Sequence, residues 1–525
     1  MRQTRKPLAA FLVQGTAYSL VSLVVVRLIS VVGSILVARI LGREHLGMLA
    51  IVTNTSSIAL LLATFGIPTA LTKLAAEAAK ETVQPPSDSA KGRELAQVPG
   101  QASSSTQVSH SLGGITGTGF MLSLGLSLFV AILLFFLAPW GARVGYREMA
   151  LARLFQIAAI SLPISAVGVT FGQALLQALR QVKWISLVNM IQGTLGLPIT
   201  VGLCLMLGVK GAVAAQIPIA LLGAILVVIG LVRTQALSPR PFFDRDYVPV
   251  LMHIALPAFL SGLVMIPALW LVTSHLSVAR GFGEVGLFNI CYGLFGLVQF
   301  LPAAVGMPLV PIIARSQATE PERVRHLVQT ALELTILVTF AISAATCLFA
   351  RPLIQLLYGS QFVAAWRPMI LMSAAVFLTS ISYTIGHYFA GTGRMWVGMG
   401  FNLLWFVSLV PIAFVLTQRS GAQGLALAFV IAYALMTMGI LVYGQRVIGI
   451  SVGYPTILAL LLGLVSGLGY HWQFEWPMLQ DRGLGSLVRL PASILVLVLV
   501  IVIAYRIMKA KPEFRQVLGL LSSKR

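Results

Sequence analysis

Apolar runs of about twenty residues recur from end to end of this 525-residue chain, separated by short polar breaks. Each run is long enough to cross ~30 Å of hydrocarbon as an α-helix rising ~1.5 Å per residue. The pattern predicts spans at roughly 13–38, 46–68, 113–137, 152–173, 185–207, 212–232, 249–272, 285–310, 327–349, 368–390, 396–416, 423–444, 453–472 and 487–506. The expected fold class is therefore an all-α polytopic membrane protein with about 14 transmembrane helices. Arg2, Arg5 and Lys6 precede the first run, as in a signal peptide. That run continues to about Ile40 without a small-residue cleavage site, so it reads as a retained helix.

The punctuation between the runs repeats. Val37-Ala38-Arg39-Ile40-Leu41-Gly42 returns as Val278-Ala279-Arg280-Gly281-Phe282-Gly283, 241 residues later. Gly47 has an echo at Gly286, and Gly66-Ile67-Pro68 has one at Gly306-Met307-Pro308. A second pair, Gly172 to Arg180 and Gly386 to Arg394, is offset by 214 and sets His387 opposite Gln173. A chain this apolar, built from two copies of one helical unit, is expected to work at the seam between the copies. The difference in offset, roughly 25 residues, implies an insertion in the first copy. Residues 80–112 supply it: a Pro-, Gln-, Ser- and Thr-rich stretch that reads as a flexible cytoplasmic loop. No other extramembrane segment is long enough to build a core, so function must be housed between helices.

Composition sharpens this picture. The chain is 58% hydrophobic and only 10% charged, against about a quarter charged in soluble domains. A net charge of +21 alone would suggest nucleic acid. Most of the 36 Lys and Arg fall in segments that become cytoplasmic if the N-terminus is cytoplasmic, which places both termini there. The basic tail (Arg506, Lys509, Lys511, Arg515, Lys524, Arg525) then faces anionic lipid headgroups, and nucleic acid is not an expected partner. Cys204, Cys291 and Cys347 lie far apart in apolar runs, and neither disulfide, metal nor cofactor is inferred.

The sharpest chemical signal is Arg27, near the middle of the first span with no acid in that helix to pair with it. A guanidinium there costs at least ~2.5–3.5 kcal/mol, so it should face a wet cavity or a partner. Thr16, Ser30 and Ser34 share its helical face, forming a small polar stripe. The functional reading is an anion site, since guanidinium forks match phosphate oxygens. The structural alternative is an arginine bonded to carbonyls or reaching the interface.

In the second helix, Asn54, Ser57 and Thr64 fall on one face and either line the same cavity or join helices. His253, Gln299 and His387 are further candidate substrate-binding residues. Glu333, the one carboxylate inside a span, is a candidate for ion coupling or else an interface carboxylate near Arg323 or Arg325. Asp244-Arg245-Asp246 has the form of a metal–nucleotide-sugar motif but sits in a short loop with no surrounding fold.

The strings Ala38-Arg39-Ile40-Leu41-Gly42, Gly47, Phe65-Gly66-Ile67-Pro68 and Leu74-Ala75-Ala76-Glu77 resemble the opening of polysaccharide-biosynthesis flippases. Ala390-Gly391-Thr392-Gly393-Arg394 is similar to that family's second-half signature. These flippases belong to the multidrug/oligosaccharidyl-lipid/polysaccharide (MOP) exporter superfamily. The resemblance implies two repeated six-helix lobes around a central cavity plus two C-terminal helices. On this chain they become an N-terminal lobe (1–232, with the insertion), a C-terminal lobe (233–444) and a segment 445–525 carrying two helices and the basic tail.

It also implies a non-enzymatic flippase working by alternating access. The cargo would be an undecaprenyl-pyrophosphate-linked oligosaccharide moved from the inner to the outer leaflet of a bacterial plasma membrane, its pyrophosphate held by cavity basic residues such as Arg27. Glycosyltransferases or a polymerase of a polysaccharide pathway are candidate partners. Many members carry an acid late in helix 7, where this chain has Thr273-Ser274-His275.

Three rivals stand beside this reading. A drug/cation antiporter of the same superfamily needs acids in its bundle, and the first six spans have none. A glycosyltransferase or ligase needs positioned acids on sizeable external loops, where only scattered ones occur. A non-catalytic scaffold for polysaccharide assembly would depend on the 80–112 loop, whereas a transporter should survive its deletion.

Overall fold

The computed structural model describes residues 5–83, 112–233, 243–306, 309–317, 319–451 and short stretches between 457 and 467. The described residues are helical throughout, with no strand among them. Ten stretches are long and apolar enough to cross a membrane. Two of the ten, Val25–Thr64 and Met395–Ile448, each hold a pair of helices that bend sharply at a glycine. Gly42 (φ 73°) makes the break in the first and Gly421 (φ 56°) in the second, conformations that a side chain would strain. With those pairs separated, the twelve spans expected before residue 451 are all present. The span expected at 487–506 and more than half of that at 453–472 lie outside the described residues, as does the loop 84–111.

Compactness divides the chain differently from the repeat. One unit comprises residues 1–30 and 52–266; the other comprises 31–51 and 267–525. All three dividing points fall inside helical segments, two within Arg5–Thr64 and one within Tyr247–Arg280.

In the first unit the Ile67–Val83 helix leaves the membrane span at an elbow formed by Phe65 and Gly66, both at positive φ. Its inner face, including Ile67, Leu71 and Leu74, joins Phe171, Leu175, Val227 and Leu251 in the largest buried cluster of this unit. The elbow is tight. A Cβ on Gly66 would sit 2.2 Å from the Ala255 carbonyl oxygen, and Phe65 stacks on Phe259 with centroids 4.3 Å apart. Downstream, Pro163 ends regular α-helix and is followed by an eight-residue π-helical stretch, Ile164–Phe171, before helix resumes. Pro removes one backbone donor, so a widened turn is a natural accommodation.

The Gly172–Ala178 and Trp366–Gly391 helices end in matching turns. Gln181 N donates to Leu176 O at 2.9 Å in the first, and Arg394 N donates to Phe389 O at 2.9 Å in the second. The left-handed residue is Arg180 (φ 58°) in one and Gly393 (φ 72°) in the other. Backbone geometry thus pairs Arg180 with Gly393, one residue away from the textual match. Counted back along the helices, His387 stands opposite Ala174 and not Gln173. A turn of this kind is defined by its left-handed residue, which letters alone do not mark.

Candidate substrate-binding residues

Arg27 is half-buried in the part of the first helix that belongs to the first unit. The neighbouring Val26 packs against Gly193, in the Val182–Leu207 helix. The Arg27 Nε is fully shielded and meets no hydrogen-bond partner among the described residues. An orphaned buried guanidinium nitrogen is costly, and an arriving acceptor would relieve it. Along the same helix Ser30 and Ser34 are exposed, on a segment otherwise flanked by Leu28, Val32 and Leu36. Thr16 lies outside the residues whose side chains are described.

The polar run of the second helix is occupied mainly with its own backbone. Ser56 Oγ donates to Val52 O (2.8 Å), Ser57 Oγ to Thr53 O (2.9 Å) and Thr64 Oγ1 to Leu60 O (2.9 Å). This is how hydroxyls are satisfied inside apolar helices. Asn54 is half-buried on that helix, and His253 is exposed on Tyr247–Arg280. Both belong to the first unit, with Arg27.

Ser34, Gln299, His387 and Glu333 belong to the second unit. Ser34 donates to Val31 O at 2.8 Å and lies within hydrogen-bonding reach of Tyr358. Gln299 and His387 each carry a buried orphan, Oε1 and Nε2 respectively. They are not neighbours. The His387 ring fills the slot left by Gly306, whose added Cβ would lie 1.8 Å from the ring, and Gln299 sits two turns back, roughly 10 Å along the same helix. Beside His387 stands Tyr383, exposed and edge-on at 6.1 Å, a residue that the sequence pattern did not single out.

Glu333 is buried and accepts a 2.7 Å hydrogen bond from Gln329. Arg323 and Arg325 pair instead with Glu320 and Glu322, both at 2.8 Å. Asp244 Oδ1 accepts the Asp246 N–H at 3.0 Å, while its backbone exchanges two hydrogen bonds with Thr118. It thereby caps the turn into the Tyr247–Arg280 helix, which accounts for the Asp-Arg-Asp string without a metal. The three cysteines are buried and not joined in disulfides, and no metal-holding cluster occurs among the described residues.

Also unsignalled in the sequence is a buried aromatic cluster in the second unit. Phe288, Tyr292, Phe295, Trp405, Phe429 and Tyr433 stack or meet edge-on at 5.4–6.1 Å. Rings in apolar helices carry no period of their own that separates core from site.

Two sequence profiles of polysaccharide biosynthesis proteins match residues 12–92 and 111–367. Both profiles carry the description polysaccharide biosynthesis protein, the family that the sequence motifs resemble. The described residues have the fold of an all-α multi-pass membrane protein. Among curated proteins it is 23% identical over 196 residues to the EPS I polysaccharide export inner membrane protein EpsE of Ralstonia solanacearum, covering 37% of this chain and 45% of that one. The Ralstonia nicotianae counterpart is 24% identical over 186 residues, 35% of this chain and 43% of the relative. The chain thus spans less than half the length of the curated relatives it matches.

Solved structures share the fold. The lipid II flippase MurJ in an inward closed conformation superposes with a TM-score of 0.65 at 14% identity, covering 93% of this chain and 98% of that one. An inward-facing multidrug resistance MATE family transporter gives 0.62 at 15% identity, over 81% and 94%. A MOP superfamily transporter from Pyrococcus furiosus gives 0.57 at 15%, over 84% and 95%.

Proposed function

We propose that this exporter flips an undecaprenyl-pyrophosphate-linked oligosaccharide from the inner to the outer leaflet of a bacterial inner membrane by alternating access, its two lobes being residues 1–232 and 233–444. The observation that carries this reading is Arg27, a mid-membrane guanidinium with a buried, unpartnered nitrogen and no acid in its helix. Such a group favours an anionic cargo and disfavours an organic cation. The family and the polysaccharide-export relatives supply the class of cargo. Asn54, Ser34, His253, Gln299 and His387 would meet the glycan with uncharged donors and acceptors. With the N-terminus in the cytoplasm, the basic cytoplasmic segments face anionic lipid, and the enzymes that build or polymerise the glycan are the natural partners.

The test is translocation in proteoliposomes of a fluorescent undecaprenyl-pyrophosphate oligosaccharide, beside the same lipid bearing a neutral link in place of the pyrophosphate. Movement of the charged form alone supports the reading. Movement of neither, together with proton-driven efflux of a cationic dye, would replace it by drug/cation antiport.

A further inference from the structure

The two copies of the Val-Ala-Arg motif use their arginines on the same kind of target. Arg280 donates to Gln418 O through Nε (3.0 Å) and Nη2 (2.6 Å), and to Arg419 O (2.7 Å). Those carbonyls end a helix just before the break at Gly421. Arg39 donates to Leu357 O (2.7 Å) and to Leu356 O, at the end of the Pro321–Tyr358 helix before Gly359. The last carbonyls of a helix lack intrahelical donors and carry partial negative charge, so both arginines satisfy them. One difference separates the two. Arg280 reaches a helix of its own repeat, whereas Arg39 reaches a helix of the other one.

The echoing glycines meet at the same place. A Cβ on Gly47 would lie 1.9 Å from Phe282 O, and a Cβ on Gly286 would lie 2.0 Å from Arg43 O. Each glycine thus receives the backbone that precedes its counterpart, a reciprocal crossing about a local two-fold axis. Gly42 adds a third approach, its absent Cβ 3.0 Å from Gln361 Oε1. These contacts are why residues 31–51, part of the first repeat by sequence, belong to the second unit by compactness.

We propose that Arg39, with the Gly47–Gly286 crossing, is a releasable latch that docks residues 31–51 onto the second repeat and must open in each transport cycle. Val37, Ala38, Leu41, Leu46 and Ala50 of the segment are buried, whereas Arg39 itself is exposed, so the polar clamp lies at the rim of the contact, where it can release first. Arg280, bonded within its own repeat, is the permanent version of the same clamp. The latch is built from contacts that do not depend on the cargo; only its place in the transport cycle rests on the flippase reading.

The test uses the full chain in nanodiscs, with Cys204, Cys291 and Cys347 replaced by Ala. In a first background Leu46→Cys puts a thiol at a buried position of the docked segment. Arg39→Ala should raise its rate of maleimide labelling about threefold to tenfold, while Arg394→Ala, remote from the latch, should not. Equal labelling rates would overturn the proposal. In a second background Glu44→Cys and Gly283→Cys are paired, since Glu44 Cγ lies 3.7 Å from a Cβ built on Gly283.

Copper-phenanthroline oxidation should form that disulfide in an otherwise unchanged chain, and failure to form it would also overturn the latch. Oxidised protein should stop translocating and recover on reduction; transport at the reduced rate while crosslinked would show that the contact never opens. If the reduced protein moves no glycan lipid at all, the flippase reading fails, and the labelling and crosslinking rates still decide the latch. Should Arg39→Ala not fold, Arg39→Lys, able to reach one carbonyl at a time, should show the same acceleration in smaller measure.

Discussion

Gln329 bridges Glu333 to the end of the second repeat: its Nε2 donates to the Glu333 carboxylate at 2.7 Å, and its Oε1 receives the Ser451 N–H at 2.9 Å. This buried carboxylate is therefore part of a link between the Pro321–Tyr358 helix and the segment after Ile448. A buried carboxylate held by an amide has a structural task that needs no proton cycle.

Glu333→Gln keeps an acceptor for Gln329, so transport and its pH dependence should stay within about twofold of wild type, while Gln329→Ala, which removes both of these hydrogen bonds, should cost about 1–3 kcal/mol of stability. Translocation rates across a pH series, with thermal unfolding of both variants, check this. Loss of transport in Glu333→Gln would make the carboxylate an ion-coupling site.

Asp244 is expected to act as a cap and nothing more. Asp244→Ala should lower stability by about 0.5–2 kcal/mol and leave translocation intact, with no dependence on added Mg²⁺ or Mn²⁺. A variant that folds with an unchanged melting temperature but loses activity on removal of divalent ions would return the Asp-Arg-Asp string to chemistry.

Arg180 holds a left-handed backbone conformation where the matching turn has Gly393. Arg180→Gly removes that strain and should stabilise the protein by about 0.5–1 kcal/mol, whereas Gly393→Ala should destabilise it by a similar amount. Melting temperatures of the two variants in one detergent should move in opposite directions.

The fold was readable because a bilayer leaves few choices: a run of twenty apolar residues must satisfy its backbone as a helix. The breaks were readable for the same reason, since Gly42, Gly66 and Gly421 adopt conformations that few other residues tolerate. What the repeat does was less legible. Arg39 and Arg280 stand out in the text as a motif, but their targets are backbone carbonyls 317 and 138 residues away, which no side-chain pattern announces.

The one-residue slip at Arg180 and Gly393 has a similar origin, because the turn is set by φ and not by the identity of the arginine. Among candidate site residues, the rare polar side chains of apolar runs differ from the abundant hydroxyls. Arg27, Gln299 and His387 all carry buried unpartnered atoms. Ser57 and Thr64 instead spend their hydrogen bonds on their own helix.

The account turns on Arg27, and the most direct measurement is glycan-lipid translocation by wild type, Arg27→Ala and Arg27→Lys at equal reconstituted protein. The anion-site reading predicts a loss of tenfold or more in Arg27→Ala, in line with about 1.4 kcal/mol or more for a charge-assisted contact, and partial activity in Arg27→Lys, which keeps the charge without the fork. Wild-type translocation by Arg27→Ala would contradict it and move the binding site to another part of the chain.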